Sequence, residues 1–316
     1  MLYWRILLTM SQHQLTLERL AIPLKVKFQH DSASRAVTAS VLVRATLASA
    51  NTGLGEGCPR DYVTGETLDS CEAFFRTHCD ALTACPTLTE LQAWVAANRA
   101  VIDQNPAAFC AMETALLTAF APDAGTTLEG LLGLPELTGE FRYSAVIGAS
   151  DPEVFRGQLQ QYLQFGFTDY KVKLFGDVQV DQANVAALAR YLGSGTRVRA
   201  DANNLWDNAD QAVDYLQGLG YAFVALEEPL GRGQLQGCSI LSARLGIPII
   251  LDESFSRLED FKAISPLPGE WVVNLRVSKM GGLLRSLEIA AEAGRRGVGL
   301  VIGAQVGETS LLTRAA

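Results

Sequence analysis

From about residue 141 onward, short apolar runs return roughly every 25 residues: RYSAVIG, DYKVKL, TRVRAD, AFVALEE, IPIILDE, WVVNLR and GVGLVIG. Amphipathic stretches separate them. The first, SDPEVFRGQLQQYLQFGF, has Ser150 or Asp151 at the cap and Pro152 in the first turn, with Phe155, Leu159, Tyr162 and Leu163 on one face. Nothing else in the chain constrains its fold as tightly. Seven β-α units in strict alternation predict a parallel sheet, and that number favours closure into a (β/α) barrel. The lesser alternative is an open doubly wound sheet. It usually carries a G-x-G-x-x-G turn after its first strand, and this chain has none.

In a barrel, the C-terminal ends of the strands line the active site. Read in order, those ends carry Lys171 and Lys173, Asp201 with Asn203, Glu227 and Glu228, Asp252 and Glu253, then Arg276 with Lys279. The successive steps from Lys173 through Asp201, Glu227 and Asp252 to Arg276 are 28, 26, 25 and 24 residues, one β-α unit each. Period-2 geometry aims Lys171 and Lys173 at one face of their strand. An ammonium is rarely buried without a reason, and here the reason is a ring of acids around the same mouth.

The N-terminal part reads differently. LTLERLAIPLKVKF and AVTASVLVRATLASANTGLGEG alternate as strands, with Asn51-Thr52-Gly53 as a hairpin turn. Helices are predicted near 67–82, 88–103 and 107–120, the second opening on a capping box, Thr87 to Glu90. Strands first and helices after is an α+β pattern. Residues 1–13 read as an N-terminal extension, 14–135 as an α+β capping domain and 136–316 as the barrel domain.

Composition narrows the function. A net charge of −8 argues against nucleic acid or an anionic membrane as partner, and no apolar run is long enough to span a bilayer. Six scattered cysteines without a C-x-x-C pair read as reduced thiols of a cytoplasmic protein. Three histidines leave little room for a zinc site or a Ser-His-Asp triad. Chemistry must therefore run on carboxylates and lysines. Three carboxylates from successive strand ends make an oxygen-only ligand set, which suits a hard divalent cation, Mg²⁺ above all, with Mn²⁺ as the variant. Such an ion holds a substrate carboxylate and stabilises the charge left when a proton leaves the α-carbon. Lys173 is the candidate base, with Lys171 as a cationic neighbour.

YKVKL, RADANN, LEEPL, LDES and NLRVSKMGG, in that order and spacing, resemble the muconate-lactonizing-enzyme subgroup of the enolase superfamily. That subgroup includes muconate cycloisomerases, o-succinylbenzoate synthases, N-succinylamino acid racemases and dipeptide epimerases. The resemblance covers about residues 14–316. It implies a (β/α)7β-type modified TIM barrel behind an N-terminal α+β capping domain, and proton abstraction α to a carboxylate through an enediolate. It makes Asp201, Glu227 and Asp252 the magnesium ligands, Lys173 the catalytic lysine, and Lys171 the group that contacts the substrate carboxylate. Asn203 matches the polar residue beside the first ligand. Glu308 falls near the mouth, and the cap segments 28–35 and 57–66 fall where the specificity loops lie. Arg60 and Tyr62 are candidate substrate contacts, as are His30 and Arg35. A small-molecule carboxylate is the implied partner, and a homo-oligomer is compatible with the resemblance.

Two departures matter. Where most of the subgroup has a second lysine, this chain has Arg276, and Lys279 sits three positions later. Arginine stays protonated at any working pH, which argues against a two-base racemase. One-base lyase, dehydratase or cycloisomerase chemistry is therefore the leading expectation. A racemase or epimerase of dipeptides or N-acyl amino acids is the alternative, and a non-catalytic metal- or ligand-binding homologue the second. The other departure is length: the sequence stops at GETSLLTRAA, so an eighth strand is missing from the run and a truncated barrel is expected. Glu228, Glu253 and Asn274 are expected to support the ligands rather than coordinate. Asp61 and Glu66 read as turn and solvent residues, and Met280 and the cysteines as packing.

Overall fold

The computed structural model describes residues 13–30, 33–264, 267 and 269–316. The proposed extension up to residue 12 and the side chains of His30 and Arg35 lie outside the described residues. The chain divides into two compact units. The first takes in the chain up to Thr138 together with Leu275–Ile289 and Ile302–Ala316; the second is Gly139–Asn274 with Ala290–Val301.

In the first unit, β1 (Gln14–Leu20), β2 (Pro23–His30), β3 (Ala33–Val37), β4 (Ser40–Thr46) and β5 (Thr52–Gly57) come first. The helices α1 (Leu68–Thr83), α2 (Leu88–Ala97), α3 (Arg99–Gln104), α4 (Pro106–Asp123) and α5 (Leu128–Leu131) follow. Strands β1, β4 and β5 form an antiparallel sheet in that order, and β2 and β3 form a separate hairpin. The β4–β5 turn lies earlier than the sequence suggests. Leu47 and Asn51 close it, Ala50 takes the left-handed φ of 70°, and Thr52 and Gly53 already belong to β5.

Helix α4 is the core of this unit. Its alanine-rich sequence is buried nearly all round, as expected of a helix without a polar face. Strand β5, TGLGEG, lies directly against it. A Cβ at Gly53, Gly55 or Gly57 would run into the carbonyls of Ala115, Ala111 and Ala107 respectively. The strand's every-second-residue glycines thus match the helix's every-fourth-residue alanines.

Two local expectations change. The helix expected over 88–103 breaks at Asn98, whose φ of −116° and ψ of 23° separate α2 from α3. At Thr87 the hydroxyl accepts from the Thr89 N–H and pairs with the Glu90 carboxylate, so the reciprocal box does not form. The box forms instead at the start of α1, where Thr67 and Ser70 each satisfy the other's backbone N–H.

The later part of the chain alternates as its periodicity predicts: β6 (Ser144–Ile147), α6 (Pro152–Gln164), β7 (Asp169–Lys173), α7 (Val178–Tyr191), β8 (Arg197–Asp201), α8 (Ala209–Leu219), β9 (Ala225–Glu227), α9 (Leu235–Leu245) and β10 (Ile249–Leu251). Then come β11 (Trp271–Leu275), α10 (Val277–Met280), α11 (Leu283–Arg296), β12 (Gly299–Ile302) and α12 (Ser310–Ala315). Seven strands form one sheet in the sequential order β6 to β12, and every pairing resolved in it is parallel. This is the modified (β/α) barrel arrangement, which accompanies an α+β capping region in the same chain, with β6 and β12 as the two sheet edges. Asp151 caps α6 through the N–H groups of Glu153 and Val154. Gly220 and Gly246 end α8 and α9 in left-handed conformations. Among the described residues, no helix is long and apolar enough to cross a membrane.

Candidate active site

Strand register assembles the acidic cluster of the second unit. Lys173 lies opposite Asp201 across β7 and β8, and Asp201 lies opposite Glu227 across β8 and β9. Ile250 faces Glu227 from β10, which puts Asp252 just past that strand's end. All three carboxylates are buried, with residue exposures of 8% for Asp201, 1% for Glu227 and 2% for Asp252. The Lys171 ammonium is 2.7 Å from both Asp201 Oδ2 and Glu227 Oε1. Asn274, from β11, donates to the same Glu227 oxygen at 3.1 Å.

The electrostatics follow from that crowding. Burial pushes the Glu227 carboxyl above the ordinary carboxylate range; Asp201 and Asp252 add to the push, and Lys171 opposes it. Three carboxyl groups crowded in a low-dielectric setting call for positive charge. No sulfur or imidazole joins them, so the donor set is the all-oxygen kind that hard divalent cations take. As they stand, no three acidic, histidine or cysteine groups among the described residues converge closely enough to hold an ion. Coordination would need the carboxylates to turn together, and the Lys171 ammonium is the cation now bonded to two of them.

The residues behind the cluster hold it in shape. Glu228 takes a left-handed φ of 40°. Its carboxylate accepts from the backbone N–H groups of Asp252 (2.6 Å) and Ser254 (2.8 Å) and from the Ser254 hydroxyl (2.8 Å). Glu228 thereby fixes the turn that carries Asp252. Asn203, also left-handed at 44°, donates its N–H to Asp201 Oδ1 at 3.2 Å. Such conformations cost energy in non-glycine residues and concentrate at functional sites. Glu253 follows Asp252 and is half-buried.

Arg199 belongs with this group, and the sequence reading missed it. It donates to Ser144 Oγ at 2.9 Å, and its Nε lies 3.9 Å from Glu227 Oε2. The signal was present: Arg199 and Asp201 are two apart on β8, as Lys171 and Lys173 are on β7.

The first unit holds a second polar cluster. Arg276 donates to Gln305 Oε1 at 2.9 Å, and the Gln305 N–H donates to the Glu308 carboxylate at 2.8 Å. Burial pushes the Glu308 carboxyl up to about 7; nearby Glu56 adds to this, while Arg276 and Arg60 oppose it. Glu56 is itself anchored by the Thr309 N–H and hydroxyl. Arg60 is fully buried and donates to the carbonyls of Ala39, Pro59 and Val306. These bonds tie loops of the first unit together. Lys279, on α10, is 1% exposed, and Tyr62 is half-buried. Glu66 is not a solvent residue: it is buried and accepts from the Ala107 and Ala108 N–H groups at the start of α4.

Comparison with known proteins gives this geometry its context. The family model described as enolase C-terminal domain-like matches residues 155–316. L-Ala-D/L-Glu epimerase of Bacillus subtilis is 27% identical over 297 residues, covering 93% of this chain and 80% of that protein. A hydrophobic dipeptide epimerase of Roseobacter litoralis is 31% identical over 268 residues, covering 83% and 74%. The structure of a dipeptide epimerase from Methylococcus capsulatus, complexed with Mg and the dipeptide L-Arg-D-Lys, superposes with a TM-score of 0.75 at 25% identity, covering 96% of this chain and 86% of that one. The chain belongs to the enolase superfamily, in its mandelate racemase/muconate-lactonizing subgroup, with dipeptide and amino-acid epimerases and racemases as its near relatives.

Proposed function

We propose that this chain is an epimerase or racemase acting on the α-carbon of a dipeptide or an N-acyl amino acid. The observation that carries the reading is the group Lys171, Asp201, Glu227 and Asp252, drawn together at the ends of successive strands with Lys173 beside Asp201 in register. The relatives' activities favour this over the elimination or cycloisomerisation that Arg276 had suggested.

Asp201, Glu227 and Asp252 would hold Mg²⁺, which when bound stabilises the negative charge left on the substrate carboxylate as the α-proton departs. Lys173 takes that proton. Lys171 supplies a fixed positive charge for the substrate carboxylate, and Asn274 and Glu228 keep Glu227 and Asp252 from drifting. Arg276 cannot serve as the base for the opposite enantiomer, because a guanidinium does not deprotonate at working pH. It acts as a fixed cation, and the proton that completes inversion on that face comes from solvent water while Lys173 gives up to solvent the proton it took, so the reaction is asymmetric: exchange at the Lys173 face runs faster than inversion. This asymmetry keeps a second reading, a one-base lyase, in play.

The test is incubation with Mg²⁺ in D₂O with dipeptides and N-acyl amino acids, scored by mass spectrometry and chiral chromatography. Deuterium uptake with inversion, reduced by about 10²–10⁴-fold in Lys173→Ala, is the expected result. Loss of water, or uptake with complete retention, would transfer the chain to the one-base reading. No uptake with any substrate of either class would make it a binding homologue.

A further inference from the structure

Lys173 ends β7, and the chain beyond it is laddered on one side. The β6 pairing runs as far as Ile147 opposite Val172, whereas β8 continues to Asp201, whose carbonyl accepts from the Leu174 N–H at 2.9 Å. Past the end of β6, a side chain takes over. Asp181, in the first turn of α7, is fully buried, and its carboxylate accepts from the N–H of Phe175 (3.0 and 3.1 Å) and from that of Gly176 (3.1 Å). Gly176 has a φ of 74°, which turns two successive N–H groups toward one carboxylate.

A fourth bond comes from a different element. The Tyr215 hydroxyl, from α8, donates to Asp181 Oδ2 at 2.6 Å. Burial and then Asp181 itself push the phenol's acidity well away from neutrality, so it remains a donor across the working range. Tyr215 is braced by Trp206, 5.5 Å between ring centroids, and Trp206 bridges to Leu230 through the backbone. The residue this assembly immobilises is Phe175. Its ring centroid lies 5.6 Å from the Lys173 ammonium, within cation–π range.

We propose that Asp181 and Tyr215 are positioning residues for the Lys173 amine: they fix the Phe175 ring against which the ammonium rests, and so aim it. The catalytic consequence rests on the reading of Lys173 as the base. Placement of a reacting group is worth large factors, since a displacement of about 1 Å can cost on the order of 10²-fold in rate.

The chain has only six lysines, so labelling with ¹³Cε-lysine gives a short spectrum in which Lys173→Ala assigns the Lys173 signal. In the parental protein that signal should carry the ring-current displacement of Phe175. In Tyr215→Phe and in Asp181→Asn it should move toward an ordinary lysine position, as in Phe175→Leu. An unmoved Lys173 signal in both variants overturns the proposal, whether or not the protein turns over any substrate. The kinetic arm uses the Mg²⁺-loaded chain with whichever dipeptide or N-acyl amino acid exchanges. Tyr215→Phe should lower kcat for α-proton exchange about tenfold, with KM and Mg²⁺ affinity unchanged. A parallel loss of kcat, KM, Mg²⁺ affinity and thermal stability would mark a packing contact only and overturn the proposal. If the parental protein exchanges nothing, the base reading fails while the Lys173 signal still decides the positioning.

Discussion

At the scale of single residues, the least conspicuous carboxylates turn out to be the most constrained. Glu228 follows a candidate ligand by one position, just past the end of β9 and with a left-handed φ. Its three acceptor bonds to Asp252 and Ser254 show what it does. Glu228→Ala should leave two buried backbone donors unsatisfied and cost about 2–4 kcal/mol in urea unfolding, while Glu228→Gln, which keeps one acceptor oxygen, should cost less. If both variants unfold at the parental midpoint, the turn does not depend on that carboxylate. The polar residues at the strand ends were legible because period-2 spacing is a local property. Arg199 obeyed the same spacing and was passed over, since Arg197 and Arg199 share the face of Asp201 and the spacing does not say which of them lies close to the acids. Arg60 lies beyond such local reading: its buried guanidinium donates to the carbonyls of Ala39, Pro59 and Val306, partners that no sequence pattern announces.

At the scale of elements, the contact between β5 and α4 makes the sharpest demand. Glycines at every second strand position let the backbone lie against helix carbonyls, and no side chain fits between them. Gly55→Ala should destabilise the protein by about 3 kcal/mol or more in chemical denaturation, the upper range for overpacking a core. An alanine tolerated there at parental stability would mean that the two elements separate without cost. The alternation in TGLGEG marked a strand, but that its glycines serve packing rather than a turn depends on a helix about fifty residues away in the sequence. Likewise the break at Asn98 goes unannounced, because residues 88–103 carry no proline or glycine to interrupt the helical pattern.

At the scale of the whole molecule, buried carboxylates make stability depend on pH. Burial pushes Glu66 up to about 7 and Glu113 up to about 8, although each accepts two backbone N–H groups that oppose the shift. With Glu308 also at about 7, these three acids all lie in the first unit. Between the unfolded value, near 4.5, and these raised values the folded chain binds more protons than the unfolded one. Their contribution is therefore complete below about pH 4.5 and is lost as pH rises through 7 and 8. Calorimetry should show the first unit losing on the order of a few kcal/mol between about pH 5 and pH 8. The upper part of that loss should flatten in Glu113→Gln. A midpoint that stays level over the same interval would show that these groups ionise in the folded state as readily as in the unfolded one.

The sequence alone determined the α+β start, the seven β-α units and the strand-end series from Lys171 to Asp252. Each of these rests on short-range periodicity, which the backbone enforces wherever the chain folds. It also carried the Arg276 substitution, a matter of residue chemistry. Only the tertiary structure decided which buried acids are anchors, since Glu66, Glu113, Asp181 and Glu228 acquire their roles from backbone N–H groups of loops and of other elements. The same holds for the Lys171 bridge between Asp201 and Glu227. Hydrogen-bond partners and desolvation are properties of three-dimensional neighbours, and for these groups the neighbours are set by how strands, helices and turns pack.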